Sequence, residues 1–325
     1  MNNEPSTMNS SPAISAIICT HNRDRYLDAA IDSLLAQDFD DFEVLVVDNG
    51  SRDRTREVVE ARLPHPRLQY IYEAELGLSV ARNTGFRQST GKILAYLDDD
   101  AVASPQWLAV LVAAYQESEK LAIAGGKVTL LWPEDMTPPH WLSIEMSGAL
   151  GAYDLGNRTL RIRQPGQTPR GLNYSIRRTF LEAVGGFDVN LGRVGTRLLS
   201  NEELHMTELA LEQGWQVAYL PAALVAHNVA PERLRPGWFL QRSWWQGISE
   251  CYREQLAGRA GMKQLGRGSE RILRGFYKTL KYFPNPAQRF ENILYAYGQI
   301  GYLSAAIRGM IAAPAWVKPS VADKN

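Results

Sequence analysis

Three consecutive carboxylates, Asp98, Asp99 and Asp100, follow directly on the apolar run ILAYL at 93–97. Side by side they cannot all ionise without a cation close by, because like charges at contact distance raise one another's pKa. A hard divalent ion removes that conflict. Mg2+ or Mn2+ takes oxygen ligands and keeps coordination positions open to phosphate oxygens. An apolar run ending in acids is the pattern of a buried parallel strand that delivers side chains to the rim of a sheet, where open α/β sheets place their ligands. A solvated acidic turn capping a helix near Pro105 is the competing reading of the triplet alone.

The surrounding chain supplies the elements such a rim requires. Apolar runs at 14–19 (ISAIIC), 42–47 (FEVLVV) and 68–72 read as strands, each followed by a helical pattern, at 26–37, 52–63 and from Gly77 to about Gly91. Strand and helix thus alternate four times in about ninety residues, which predicts a sheet wound with helices. The turn after the first strand has no Gly-x-Gly-x-x-Gly, so a dinucleotide role is set aside. Further on, 105–118 reads as a helix and 122–131 as a strand. Residues 132–170, with five prolines and two tryptophans, form a long insert of the kind that serves as a functional lid. Regular structure resumes at Gly171 (GLNYSIRR). A helix opens at Asn201, Glu202 and Glu203 and ends at Gly214, and two short strands, 215–220 and 223–226, deliver His227.

The 325 residues have room for one domain of about 230 residues with an appendage. The expected division is a disordered tail at 1–12, an α/β domain at 13–230 with halves at 13–100 and 101–230, and a helical, basic, aromatic-rich region at 231–325. Two cysteines without metal spacing, Cys19 and Cys251, argue for a reducing compartment, and the opening residues lack the features of a signal peptide. No run of eighteen apolar residues predicts a spanning helix. Net charge is zero, yet from residue 231 onward 15 Lys plus Arg stand against 6 Asp plus Glu. That basic tail suits the anionic surface of a membrane better than nucleic acid, for which no motif is present. Trp238, Trp245 and Tyr252, at heptad spacing, line one helix face and read as core.

Taken in order, CTHNR at 19–23, VVDNGS at 46–51, GLSVARNTG at 77–85, LDDD at 97–100, GLNYSIRR at 171–178, VGGFD at 184–188 and NEEL at 201–204 resemble the family 2 glycosyltransferases over roughly 13–230. These are inverting enzymes of GT-A fold that use nucleotide-diphosphate sugars. The resemblance implies a mixed α/β sheet flanked by helices, here with a helical C-terminal extension.

It also implies roles for particular residues. Thr20, His21, Asn22 and Arg23 would meet the nucleotide, with Arg23 facing pyrophosphate. Asp48 and Asn49 would take the base, the second being Asn where the family often has Asp, and Arg82 would approach from the third helix. Asp99 would address the ribose and Asp100 the metal, Mn2+ or Mg2+, with Asp98 supporting either and His227 as a further ligand. The base that deprotonates the acceptor falls on Glu203, where the family usually has Asp, with Glu202 beside it. Asn173, Arg177 and Arg178, with Trp132, Trp141 and Trp215 as stacking surfaces, would face sugar or acceptor. The implied partners are a nucleotide-sugar donor and a glycan or lipid-linked acceptor. The expected activity is metal-dependent transfer in surface polysaccharide synthesis, cytoplasmic or on the inner face of the cell membrane. The alternatives are a nucleotide-sugar-binding scaffold without turnover and a nucleotidyltransferase, although the glycine-rich, lysine-bearing turn of the latter is missing.

Overall fold

The computed structural model describes residues 11–259 and 262–311. The first ten residues of the expected tail, and positions 312–325, lie outside the described residues. The first half alternates as its sequence predicts: β1 (Ile14–Thr20), α1 (Asp24–Leu35), β2 (Phe42–Asp48), α2 (Thr55–Glu60), β3 (Leu68–Tyr72), α3 (Leu78–Gln88) and β4 (Ile93–Asp98). These strands pair in parallel in the order β3-β2-β1-β4. β1, β2 and β4 are almost wholly buried because helices cover the sheet, which is why they are continuous apolar runs. α1 supplies one cover, burying Leu27, Ala30, Ile31 and Leu34 at helical spacing.

The second half completes a mixed sheet. It comprises β5 (Ala101–Ala103), α4 (Trp107–Glu117), β6 (Leu121–Leu131), α5 (Ile144–Ser147), β7 (Leu160–Ile162), β8 (Asn173–Arg177), α6 (Arg178–Ala183), α7 (Glu202–Glu212) and β9 (Gln216–Asn228). β8 lies antiparallel between β4 and β6, and β9 pairs in parallel with β6. The two strands expected at 215–220 and 223–226 are one. The β6 register shifts between Gly126 and Val128, so that residues 221–224 of β9 stand opposite Lys127 alone and the strand continues through Pro221. β5 and β7 both pair antiparallel with β9 at different points along its length.

Three helices follow, α8 (Pro236–Leu256), α9 (Met262–Lys281) and α10 (Pro286–Ile311). They are not a detached appendage. Leu234, Phe239 and Leu294 form a buried cluster with Met146, Leu150 and Val229, joining the helices to the 132–170 insert. Of the Trp238, Trp245 and Tyr252 stripe, Tyr252 is buried and the two tryptophans are half-buried.

Asn173, expected at the sugar, is instead a structural pin. It is fully buried; its Oδ1 accepts from Trp107 Nε1 at 2.9 Å, and its Nδ2 donates to the Lys127 and Ala223 carbonyls. One amide therefore ties α4, β6 and β9 together around the start of β8. Asn173→Ala strands an indole N–H and two carbonyls in the interior, a cost of about 3 kcal/mol. Thermal unfolding of that variant should show a midpoint several degrees lower, and an unchanged midpoint would contradict the pin.

Candidate active site

The C-terminal ends of β1, β2 and β4 lie in register: Thr20 pairs with Asp48, and Cys19 with Asp98. After Asp98 the chain turns through Asp99 and Asp100 into β5, whose Ala101 pairs with His227 of β9. The turn is pinned there because the Asp100 carbonyl accepts from both the backbone N and the Nδ2 of Asn228. Asp98, Asp100 and His227 consequently bring one potential ligand atom each to within 4.8 Å of one another.

Asp100 is almost fully buried and surrounded by cations. Its Oδ1 lies 3.0 Å from His227 Nε2, and its Oδ2 meets Arg23 and, at 3.2 Å, Arg233 Nη2. Burial alone would raise its pKa, but the His227 hydrogen bond and the charges of His227, Arg23 and Arg233 hold it well below the usual carboxylate range. Asp99, buried beside Asp100 and only partly offset by Arg23 at 3.5 Å, is pushed up to about 7. Because ionised Asp100 can only accept, His227 Nε2 is the donor, and the buried Nδ1 has no hydrogen-bond partner. Two carboxylates and an imidazole are a donor set that fits Mn2+ or Mg2+.

A second acidic group stands on the same cleft. Glu202 and Glu203 occupy the first turn of α7, entered through Asn201 in the left-handed conformation (φ 79°). Arg82 of α3 reaches both: Nη1 lies 2.9 Å from Glu202 Oε1, and Nη1 and Nη2 lie 3.3 Å from Glu203 Oε1. The guanidinium is itself buried, 5.7 Å from the Tyr96 ring centroid and 5.5 Å from that of Phe187. Burial and the neighbouring Glu203 push Glu202 up to about 7 against the opposing charge of Arg82. Gly171 leaves room for this pair: a Cβ at that position would displace the Glu203 carboxylate and the Arg82 guanidinium. Asp98, His227 and Arg233 share with Arg82, Glu202 and Glu203 the lining of one cavity of about 990 Å3.

The remaining expected residues divide. The 20–23 and 48–52 loops are laced together, with His21 Nδ1 donating to the Asn49 carbonyl (2.6 Å) and the Asn22 Oδ1 accepting from Arg52 N (2.8 Å). Asp48 is held by the Tyr70 hydroxyl (2.7 Å) and by Ser51 N. Asn49 is corrected from base contact to loop brace: Oδ1 accepts from Gly77 N, and Nδ2 donates to the Glu73 and Glu75 carbonyls. Arg82, expected to approach the nucleotide, lines the cavity and lies between the two glutamates. Arg177 and Arg178 are corrected from substrate contacts to struts at the opposite end of β4, where Arg177 pairs with Ile93. Their guanidiniums donate to the carbonyls of Leu121, Tyr115 and Ser118 and of Gly91 and Phe86 respectively. Trp215, whose ring centroid lies 5.6 Å from that of Phe180, sits at the start of β9, roughly 40 Å of strand from His227. Trp132 and Trp141 pack on the cluster around Phe239 rather than line the cavity. Arg233 and the half-buried Arg242 escaped the sequence reading, since neither stands in a motif.

The mixed sheet, with an acid-lined cleft at its strand ends, has the GT-A fold of glycosyltransferases. The fold likeness includes the mannosyltransferase PcManGT of Pyrobaculum calidifontis, solved in complex with GDP-Man and Mn2+. It superposes with a TM-score of 0.57 at 19% identity over 94% of this chain and 77% of that one. A family model for glycosyl transferase family 2 matches residues 15–171. The glucosyl-dolichyl phosphate glucuronosyltransferase of Haloferax volcanii is 29% identical over 73% of this chain and 76% of its own length. The validoxylamine A glucosyltransferase of Streptomyces hygroscopicus subsp. limoneus is 40% identical over 32% of this chain and 24% of its own. Over these stretches the chain is similar to the enzymes of glycosyl transferase family 2.

The Arg82 arrangement makes a pH-dependent prediction. The folded pKa of Glu202 lies above its unfolded value of about 4.5, so the stability of its neutral form is complete below that pH and is lost as pH rises through about 7. Arg82→Met removes the opposing cation and raises that pKa further. The variant should lose about 3–5 kcal/mol, with a larger gap to the parent protein at pH 8 than at pH 5 in urea unfolding. A gap independent of pH would mean that the glutamates do not depend on Arg82 for charge.

Proposed function

We propose that the chain is a metal-dependent, inverting transferase that moves a sugar from a nucleotide-diphosphate donor to a hydroxyl of a glycan or lipid-linked acceptor, in surface polysaccharide or glycolipid assembly. The observation that carries this reading is the single cleft shared by Asp98, His227 and the Glu202–Glu203 pair. The relative from Haloferax volcanii, named for a dolichyl phosphate-linked acceptor, supports the lipid-linked side of the proposal. A place at the inner membrane face is consistent with the basic C-terminal region, and no helix among the described residues is long and apolar enough to cross a membrane.

In this reading Thr20, His21, Asn22 and Asp48 form the nucleotide wall, with Asp99 addressing the ribose. Asp98, Asp100 and His227 hold a divalent cation, which supplies charge neutralisation for the departing diphosphate. Arg23, on the rim of that site, is the group that can turn from Asp100 to a phosphate oxygen. Inversion by direct displacement requires one base on the acceptor side. Glu203 suits this better than Glu202, because its side chain is 16% exposed against 4%. Arg82 fixes Oε1 of Glu203, whereas no hydrogen bond from the described residues engages Oε2. Glu202 then sets the tilt of Arg82 and adds negative charge beside the base.

The experiment measures release of nucleoside diphosphate from a panel of nucleotide sugars with Mn2+ and candidate acceptors. Glu203→Gln should lower transfer by about 100-fold or more while calorimetric binding of the nucleoside diphosphate stays unchanged. Chelation of the metal should abolish both. Undiminished turnover in Glu203→Gln would remove that residue from the base role.

A further inference from the structure

α9 is packed in an unusual sense. The face it turns to α10 is built on glycine: a Cβ on Gly275 would press on Ala296, and one on Gly268 would run into Leu303. The larger apolar residues point the other way. Leu273 (71%), Phe276 (56%), Tyr277 (66%) and Leu280 (74%) are exposed, at spacings of three, four and seven that put them on one face, and Phe283 beyond the helix end is 64% exposed. Next to this apolar band runs a basic one, formed by Arg274, Lys278 and Lys281, all exposed. Over its twenty residues α9 carries six Lys or Arg and one Glu, and that Glu270 is paired with Arg274. An exposed apolar face of this size signals a partner.

We infer that this face of α9 docks on an anionic lipid bilayer, with Leu273, Phe276, Tyr277 and Leu280 entering the interface and the basic band meeting headgroups. The charge selects the bilayer over a second copy of the chain, because a two-fold pairing through this face would set basic band against basic band. An interfacial helix has these features, an apolar face with aromatic residues and a Lys/Arg-rich flank, and is too polar to span. The geometry also relates the bilayer to the active cleft, since Arg271 of α9 and Tyr295 of α10 line its cavity. A docked helix thereby holds the cleft beside the lipid surface, so that a lipid-linked acceptor reaches it without leaving the interface. That last step rests on the proposed acceptor class; the docking itself does not.

The test is sedimentation of the full chain with vesicles of phosphatidylcholine containing roughly one-third phosphatidylglycerol, and with phosphatidylcholine alone. Neither donor nor acceptor is present, so the outcome is independent of transfer. Binding should require the anionic lipid and fall about 10-fold or more in Phe276→Ser/Leu280→Ser and in Lys278→Glu/Lys281→Glu. Circular dichroism and calorimetry with UDP, GDP and Mn2+ should show both variants folded and their nucleotide binding equal to the parent's. Failure of the parent to bind, binding that ignores both substitutions, or a concentration-dependent dimer abolished by Phe276→Ser/Leu280→Ser would overturn the inference. Loss of nucleotide binding by the parent would instead count against the proposed function alone.

Discussion

A buried carboxylate without a cation is among the costliest arrangements a protein can hold, and Asp100 is where this chain meets that constraint. Four separate segments converge to satisfy it: the β1–α1 loop through Arg23, the β4–β5 turn that carries Asp100 itself, the end of β9 through His227, and the stretch before α8 through Arg233. The interaction joins the parallel half of the sheet to its second half and to the helical extension. It also leaves His227 Nδ1 buried without a hydrogen-bond partner.

The opposite wall obeys the same rule in another form. Two glutamates in adjacent positions at the start of α7 are tolerable because Arg82 lies between them and the Tyr96 and Phe187 rings. Arg82 is brought there by the segment around it. Ser79 donates to the Leu191 carbonyl, and Asn83 makes a reciprocal pair of hydrogen bonds with the Phe187 backbone. The GLSVARNTG stretch is thus a clamp that holds 187–191, and with it the approach to α7, against the sheet.

The first half of the fold was legible because buried parallel strands announce themselves as apolar runs, and β1, β2 and β4 do so. Their polar ends, Thr20, Asp48 and Asp98, are equally readable, and the structure aligns them. Side chains whose partners lie far away in sequence were not. The family resemblance implies substrate contact for Asn173 and Arg177, yet the antiparallel entry of β8 turns Asn173 into the sheet and Arg177 toward its far end. Asn49 looks like a base-binding amide, and only the path of residues 73–77 shows that it braces a loop. Arg233, a central cation of the acid site, lies in a segment without a motif, and its role arises from the return of β9 beside β5. The continuity of β9 was hidden by Pro221, which a local shift in pairing accommodates.

Both walls open on one cavity, and the account requires that donor and base meet across it. The most direct measurement is a crystal structure of the protein soaked with Mn2+ and a nucleoside diphosphate, with anomalous scattering used to locate the metal. The expected map has the manganese peak among Asp98, Asp100 and His227, the diphosphate in contact with it, Arg23 turned toward a phosphate, and Glu203 facing the β-phosphate side across open space. A manganese peak elsewhere, or a diphosphate seated away from the cleft that Glu203 lines, would contradict the assignment.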